Sequence, residues 1–346
     1  MNNHRDGLEN INLSRKPDVP GLIFRGFRGK EDYPTILVVI LGCASVDGIE
    51  HSDKLEDITY QYTHLIHCDL YHDMLLAEVE DKVVGFCRVS WMLEASGQWL
   101  GCPVGYVLPQ WRHKGIGSSL LHFNEERLRQ IAAQLKETGQ IPMDVPCLLD
   151  LTVNESEIDR INLLERNNYK VRHYFFEMVR PNLENIPDIL LPPGVEVRGV
   201  ESEHIRLICE ATNEAFNDHW GFTPVPLEYF ERMTNNPDFD SSLWSIAWQG
   251  DQVAAMVISS IFKGVNETFG RKRGYIDNIC VRRPWRGQGL AKALIARNLI
   301  ALMKLGMTEA GLLVDAENKS GALHLYESMG FQVVKREMVY RKPLEI

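Results

Sequence analysis

The sequence predicts two α/β domains in tandem, products of one duplication, and three observations carry the prediction. The chain has 346 residues, more than the usual single-domain size. Hydrophobic residues make up 45% and charged residues 24%, the balance of a globular protein with a real core. The third is an internal repeat. "VLPQWRHKGIG" (Val107–Gly117) and "VRRPWRGQGLA" (Val281–Ala291) share Val, Trp, Arg and Gly at the same offsets, 174 residues apart.

The elements follow in the same order in both halves. Each half opens on a short alternating strand, "GLIFRGF" (Gly21–Phe27) and "GVEVRGV" (Gly194–Val200). A hairpin follows, "LLAEVEDKVVG" (Leu75–Gly85) and "SIAWQGDQVAA" (Ser245–Ala255), with turns at Glu80-Asp81 and Gly250-Asp251. A further strand, "CPVGYV" or "YIDNICV", runs into the arginine–glycine junction, and a helix leaves it. Leu121, Leu128, Ile131 and Leu135 recur at helical spacing, with Glu125, Glu126, Arg129 and Lys136 on the other side. Residues 290–305 are apolar nearly all round, as in a helix buried against a sheet. "CLLDLTV" and "AGLLVDA" give the next strand, a second helix follows, and "FFEMVRP" and "EMVYRKP" close the halves. "RPNLENIPDILLPPG" (Arg180–Gly194) carries four prolines and reads as a linker. The expected division is a polar, mobile leader at 1–20, an N-terminal domain at 21–181, a linker at 182–193 and a C-terminal domain at 194–346.

A net charge of -10 argues against a nucleic-acid or anionic-membrane partner, which would need a basic face. Seven scattered cysteines without a CxxC pair read as reduced thiols in a cytoplasmic protein, not as disulfides or a zinc site. The leader has no apolar core of a signal peptide, and no stretch approaches the length of a membrane span. His64, His67 and His72 do not have the spacing of a metal constellation, so no metal is expected.

The junction concentrates Arg282, Arg283 and Arg286 with two glycines between a strand and a helix. The first turn of a helix offers free N–H groups and the positive end of its dipole, and glycines let that backbone approach an anion closely. A pyrophosphate is the expected ligand. No GxxxxGK[ST] occurs, and "GQGLAK" and "GIGSSL" lack the last Gly/Ala of GxGxxG. Both junctions satisfy [Q/R]xxGx[G/A], through Arg112, Gly115 and Gly117 and through Arg286, Gly289 and Ala291.

On these residues the sequence resembles the GNAT superfamily of acyl-CoA N-acyltransferases, in a tandem form covering almost everything beyond the leader. The resemblance implies two GNAT-like domains, each a mixed central sheet flanked by helices, and acetyl-CoA as co-substrate without a metal. It places the pantetheine arm along Ile279, Cys280 and Val281, and the pyrophosphate on Arg286, Gly287, Gln288, Gly289, Leu290 and Ala291. "NKSGALHLYESMGF" (Asn318–Phe331) resembles the family's N…A..LYE..GF pattern, adds Asn318 to the cofactor contacts and gives Tyr326 the role of proton donor to the leaving thiolate. A tyrosine of reference pKa about 10 can protonate a thiolate whose acid is of about cysteine strength, ~8.5; the competing reading is a tyrosine that only packs. Asp277, four residues before Val281, is the candidate general base, or an ordinary strand carboxylate. Asp315 and Glu317 are weaker candidates. Asp218, His219 and Trp220 are candidate acceptor contacts, with a packing role as the alternative. "RKR" at Arg271–Arg273 reads as a solvated hairpin tip within possible reach of the cofactor's 3′-phosphate.

The N-terminal half departs from the pattern. Leu164 stands where Tyr326 stands in the other half, and Pro103 stands opposite Asp277. That half is therefore expected to keep a cofactor-like pocket without the chemistry. The implied activity is acetyl transfer from acetyl-CoA to an amine of a small molecule or peptide, in the C-terminal domain. The alternative is a non-catalytic acyl-CoA sensor or interaction module.

Overall fold

The computed structural model describes residues 11–234, 239–318 and 321–346. The chain divides into two compact units: unit 1 runs to His173 and includes Glu337–Ile346, and unit 2 is Tyr174–Arg336. Both are mixed sheets with helices.

Unit 1 contains β1 (Leu22–Gly26), α1 (Tyr33–Asp47), α2 (Leu55–Thr63), α3 (Leu70–Asp73), β2 (Met74–Val79), β3 (Lys82–Leu93), β4 (Trp99–Val107), α4 (Ile116–Glu137), β5 (Cys147–Asn154) and α5 (Ile158–Arg166). Strand β6 (Lys170–Arg180) begins in it. Unit 2 takes the rest of β6, then β7 (Glu196–Arg198), α6 (Ile205–Phe216), α7 (Leu227–Thr234), β8 (Trp244–Gln249), β9 (Gln252–Ser260), α8 (Lys263–Phe269), β10 (Arg273–Val281), α9 (Leu290–Lys304), β11 (Glu309–Asp315), α10 (Ala322–Ser328) and the start of β12 (Gln332–Pro343).

The sheets share one plan. In unit 1 the order is β1-β2-β3-β4-β5-β12, antiparallel except for the parallel β4–β5 pair. In unit 2 it is β7-β8-β9-β10-β11-β6, antiparallel except for β10–β11. The β2–β3 turn places Glu80 and Asp81 at φ +50° and +60°, a pair of left-handed residues whose twist matches that of the strands they join. Helix α4 buries Leu121, Leu128 and Leu135 with Trp99, Leu149 and Val153, while its Glu126 and Arg129 pair outside at 2.7 Å. In unit 2, Leu294, Ile295, Leu299 and Leu302 of α9 join Ile246, Met256 and Ile276 in one core.

The two parallel pairs position the site. β4 meets β5 only at Trp99–Gly101, and β10 meets β11 only at Arg273–Tyr275. Beyond those residues both strands continue but no longer pair, so each unit opens into a cleft with unpaired strand backbone.

The compact units differ from the contiguous halves read in the sequence. Residues 175–180 of β6 pair with β11, and residues 337–343 of β12 return to pair with β5. Both strands carry the triplet Glu-Met-Val, so their composition is silent on which sheet each joins. The leader is also not mobile over its described part. Ile11 N–H donates to Phe24 O at 2.7 Å, Ser119 Oγ donates to Arg15 O at 2.5 Å, and Ile11, Leu13 and Val19 pack against the Leu22–Phe24–Ile116–Leu120 cluster. Residues 1–10 lie outside the described residues. The linker packs too: Leu183 is buried with unit 2's core, and the Arg180 guanidinium donates to the carbonyls of Asn182 (2.9 Å) and Glu184 (2.7 Å).

The Arg271–Arg273 cluster is not a solvated hairpin tip. Helix α8 precedes it, Arg271 donates to the Tyr275 hydroxyl at 2.7 Å, and Arg273 reaches Glu309 (2.8 Å) and Glu177 (3.3 Å). The Arg273 pairs tie β10 to β11 and to β6 at the end of β10 remote from the glycine loop. His64, His67 and His72 serve locally, against Tyr60, Trp91 and Asp69. Among the described residues, no helix is long and apolar enough to cross a membrane.

Candidate active site

The glycine loop of unit 2 is held from behind and open in front. After β10 a single 3-10 turn, Arg283–Trp285, buries Trp285 and lets its Nε1 donate to Gln249 Oε1 at 2.7 Å. Gly289 then caps α9 at φ +80°, a left-handed conformation with no side-chain cap bond, and a Cβ there would meet nothing within 4 Å. The first N–H groups of α9 thus receive no side-chain cap from Gly289, and the helix dipole lies behind them. The residues fit a pyrophosphate there.

The Arg286 side chain does not join that front. Its Nε donates to Val281 O at 3.0 Å and its NH2 to Ala215 O at 3.1 Å, so it braces the loop against β10 and α6. The β9–β10 register explains the strand's part. Arg282 N–H donates to Ala254 O, and Cys280 and Asn278 stand opposite Met256 and Ile258. Alternation then turns the backbone of Ile279 and Val281 towards the open side, where an extended amide chain could pair. Burial pushes the Cys280 thiol up to about 12, which leaves it an inert wall.

Asp277 occupies a bulge, the register shift between Ile276 and Asn278. The residue is exposed to solvent, yet the protein around its carboxyl desolvates it in part and pushes its pKa up, against an opposing hydrogen bond from Ser260. Tyr326, on α10, is buried, and burial pushes its pKa up to about 12. None of the described residues hydrogen-bonds its hydroxyl; its ring lies against Phe331 at 6.3 Å. Such a hydroxyl stays protonated and has its proton to give. Asn318 shapes the turn into α10, its N–H on Asp315 O (3.2 Å) and its carbonyl receiving Gly321 N–H (3.3 Å).

The three acceptor candidates separate. Asp218 bonds Arg283, which holds its carboxyl below the usual range, and lies 3.8 Å from Arg286. It is a brace of the loop. His219 packs on Phe216, and burial lowers its pKa, so it favours the neutral form. Trp220 meets Phe175 edge-on at 6.3 Å. Asp315 accepts Glu317 N–H at 2.8 Å and so closes a local turn.

Unit 1 repeats the backbone with other side chains. Gly115 caps α4 at φ +83°. Arg112 donates to Val107 O (3.1 Å) as Arg286 does to Val281, and also to Asp47 (2.7 Å, two bonds) and Asp159 (3.2 Å). Pro103 costs the sheet no ladder bond. It stands at a position whose nitrogen faces the side that β5 has left, since Leu108 N–H donates to Val84 O and alternate residues follow. The cleft is a cavity of about 310 Å³ whose lining includes Gly117, Leu164, Tyr106, Asn124 and Arg160. Sequence reasoning missed the last three; the one available signal was that Arg160 aligns with Ala322.

The comparisons agree with this geometry. The acetyltransferase (GNAT) family profile matches residues 205–331, and an acetyltransferase (GNAT) domain profile matches residues 71–171. The chain belongs to the GNAT family. It is 29% identical over 153 residues to a mycothiol acetyltransferase of Streptomyces scabiei, covering 44% of this chain and 47% of the relative, so that match spans about half of either. It is 27% identical over 264 residues to the mycothiol acetyltransferase of Geodermatophilus obscurus, covering 75% of this chain and 78% of the relative. A GCN5-related N-acetyltransferase from Sphaerobacter thermophilus superposes with a TM-score of 0.72 at 25% identity, over 95% of this chain and 97% of that one. The two matched ranges thus fall one in each half of the repeat, and Tyr326 stands where the first half has Leu164.

Proposed function

We propose that unit 2 transfers an acetyl group from acetyl-CoA to an amine of a small molecule or peptide. What supports this reading is that one unit carries an uncapped glycine loop, a strand backbone left unpaired by β11 beyond Tyr275, and a buried tyrosine whose hydroxyl none of the described residues bonds. The loop backbone from Gly287 to Ala291 holds the pyrophosphate, while Ile279 and Val281 pair with the pantetheine amides. Holding thioester and amine together makes the attack effectively unimolecular. Asp277, its pKa raised, accepts a proton from the attacking amine, directly or through a water. The acetyl–sulfur bond breaks as the acetyl–nitrogen bond forms, and Tyr326 donates its proton to the departing thiolate. Arg286 and Asp218 keep the loop in place. The mycothiol acetyltransferase relatives favour a small-molecule amine as acceptor.

The test incubates the full chain with acetyl-CoA and a broad amine panel, reads products by mass spectrometry, and runs Tyr326→Phe beside it. Acetylation of one acceptor class that collapses in the variant supports the reading. Tight acetyl-CoA binding without product from any amine favours a sensor instead.

A further inference from the structure

The cleft of unit 1 has features that the family's tyrosine and loop do not account for. Its loop is crowded where unit 2 has glycine and open ground. Asp159, at the start of α5, reaches Arg112 at 3.2 Å and His113 at 3.0 Å. The aligned residues in unit 2 are Gly321 and Gly287, and a Cβ on either would meet nothing within 4 Å. Asp47 lies on the same guanidinium at 2.7 Å. From the leader, Pro17 sits 2.9 Å from where a Cβ on Gly115 would lie. Two carboxylates and a proline beside the loop disfavour a pyrophosphate by charge and by bulk.

Behind the loop the cavity persists, with a lining of its own. About 310 Å³ lies at the lower end of the roughly 300–1,000 Å³ of small-molecule sites. Arg160 stands where unit 2 has Ala322. One of its amino groups donates to Glu157 Oε1 at 3.0 Å, and Glu157 Oε2 is occupied by Asn154 N–H at 2.8 Å. The remaining Arg160 donors have no partner among the described residues. The Tyr106 hydroxyl, an electrostatic neighbour of Arg160, has none either. Deeper in, Asn124 is 2% exposed and gives its amide to Val104 O at 2.9 Å, but its Oδ1 has no partner. An unsatisfied acceptor so buried needs a donor. Leu121, Leu151 and Leu164 supply an apolar wall.

We propose that the cleft of unit 1 binds a small carboxylate in place of acetyl-CoA, its carboxylate on Arg160 and Tyr106 and its chain along Leu121, Leu151 and Leu164. The planar guanidinium fork matches a carboxylate. The nearby Asp47, Glu157 and Asp159 favour a singly charged ligand over a phosphate. A hydroxyl on the chain satisfies Asn124 Oδ1. The proposal does not depend on which amine unit 2 acetylates.

Calorimetric titration of the full chain tests it with acetyl-CoA, with straight-chain carboxylates from acetate to octanoate and their hydroxylated counterparts, and with the corresponding primary amides. The expected result is one equivalent of acetyl-CoA per chain, one equivalent of a carboxylate that does not compete with it, and no binding of the amides. Arg160→Met should weaken the carboxylate by roughly tenfold or more, the loss of a charged hydrogen bond, and leave acetyl-CoA binding unchanged. Tyr106→Phe, which leaves the Arg160–Glu157 pair intact, should weaken it less and keep the melting temperature. Two equivalents of acetyl-CoA, competition between the two ligands, no saturable carboxylate, or affinity indifferent to both variants would each overturn the proposal.

Discussion

Replacing Tyr326 by phenylalanine removes one oxygen on which no described residue depends. The ring is 7% exposed and keeps its contact with Phe331. Since none of the described residues bonds the hydroxyl, its loss strands none of them, and stability should move by less than about 0.5 kcal/mol. The chemistry should respond quite differently. With a pKa pushed up to about 12, Tyr326 remains protonated at any ordinary assay pH and is ready to donate to the thiolate. Removing a positioned general acid costs about 10²–10⁴-fold in rate, or about 2.7–5.4 kcal/mol of barrier. Continuous detection of released CoA thiol, with the acceptor found in the amine panel, should show kcat down by that factor at an unchanged melting temperature. KM for acetyl-CoA should stay within about twofold, because the lost interaction belongs to the transition state. A kcat retained within about twofold would refute the donor role and leave Tyr326 a packing residue. A melting temperature several degrees lower would refute the claim that the hydroxyl is unpartnered.

Three further outcomes follow from the same geometry. Asp277 has its pKa raised by desolvation, so its base form, and activity with it, should be lost as pH falls through that raised value; Asp277→Asn should lower kcat/KM by about 10²-fold and abolish the acid limb of the pH–rate profile. Arg112→Ala should destabilise unit 1 by about 2 kcal/mol in a denaturant titration, because it leaves the largely buried Asp47 without its two bonds at 2.7 Å; Arg283→Ala, at an exposed pair, should leave the melting temperature unchanged. The strand exchange makes a fragment prediction. Residues 174–336 contain the whole of unit 2 and should fold and bind acetyl-CoA, whereas 194–346 lacks the strand that pairs with β11 from Ala310 to Asp315 and should not show a cooperative melt.

The duplication was legible because the loop that repeats is backbone chemistry. Glycines at 115 and 289 are required by φ near +80°, and that requirement leaves the same mark in both halves of the sequence. The hairpins and the cleft-forming strands were legible for a related reason, the period of their apolar residues. What the sequence could not convey was the direction in which a charge is turned. Arg286 reads as a cation beside a phosphate loop, yet its guanidinium is bound to two backbone carbonyls. "RKR" reads as a solvated tip, yet Arg273 ties three strands together through Glu309 and Glu177. The exchange of β6 and β12 was hidden because both carry the same Glu-Met-Val core, so pairing depends on the path of the chain between them.

Arg160 shows why the two clefts should be expected to differ in ligand. In "IDRINLLER" it has the appearance of one more surface charge on a short helix. Only the spacing of 162 residues that aligns Leu164 with Tyr326 sets it against Ala322, and Asp159 against Gly321. Three replacements within six residues thus separate the units: a side chain for a glycine, an arginine for an alanine, a leucine for a tyrosine. Loss of catalysis alone would explain the leucine. It does not explain an arginine on the cavity wall where unit 2 has an alanine, its side chain 23% exposed and held to Glu157 through one amino group. Such a group is retained at low cost only if something of opposite charge meets it, and Glu157 meets one amino group of it and no more. The surplus of donors at Arg160 and Tyr106 therefore weighs for a second ligand of this chain, distinct from the thioester that the glycine loop of unit 2 is built to hold.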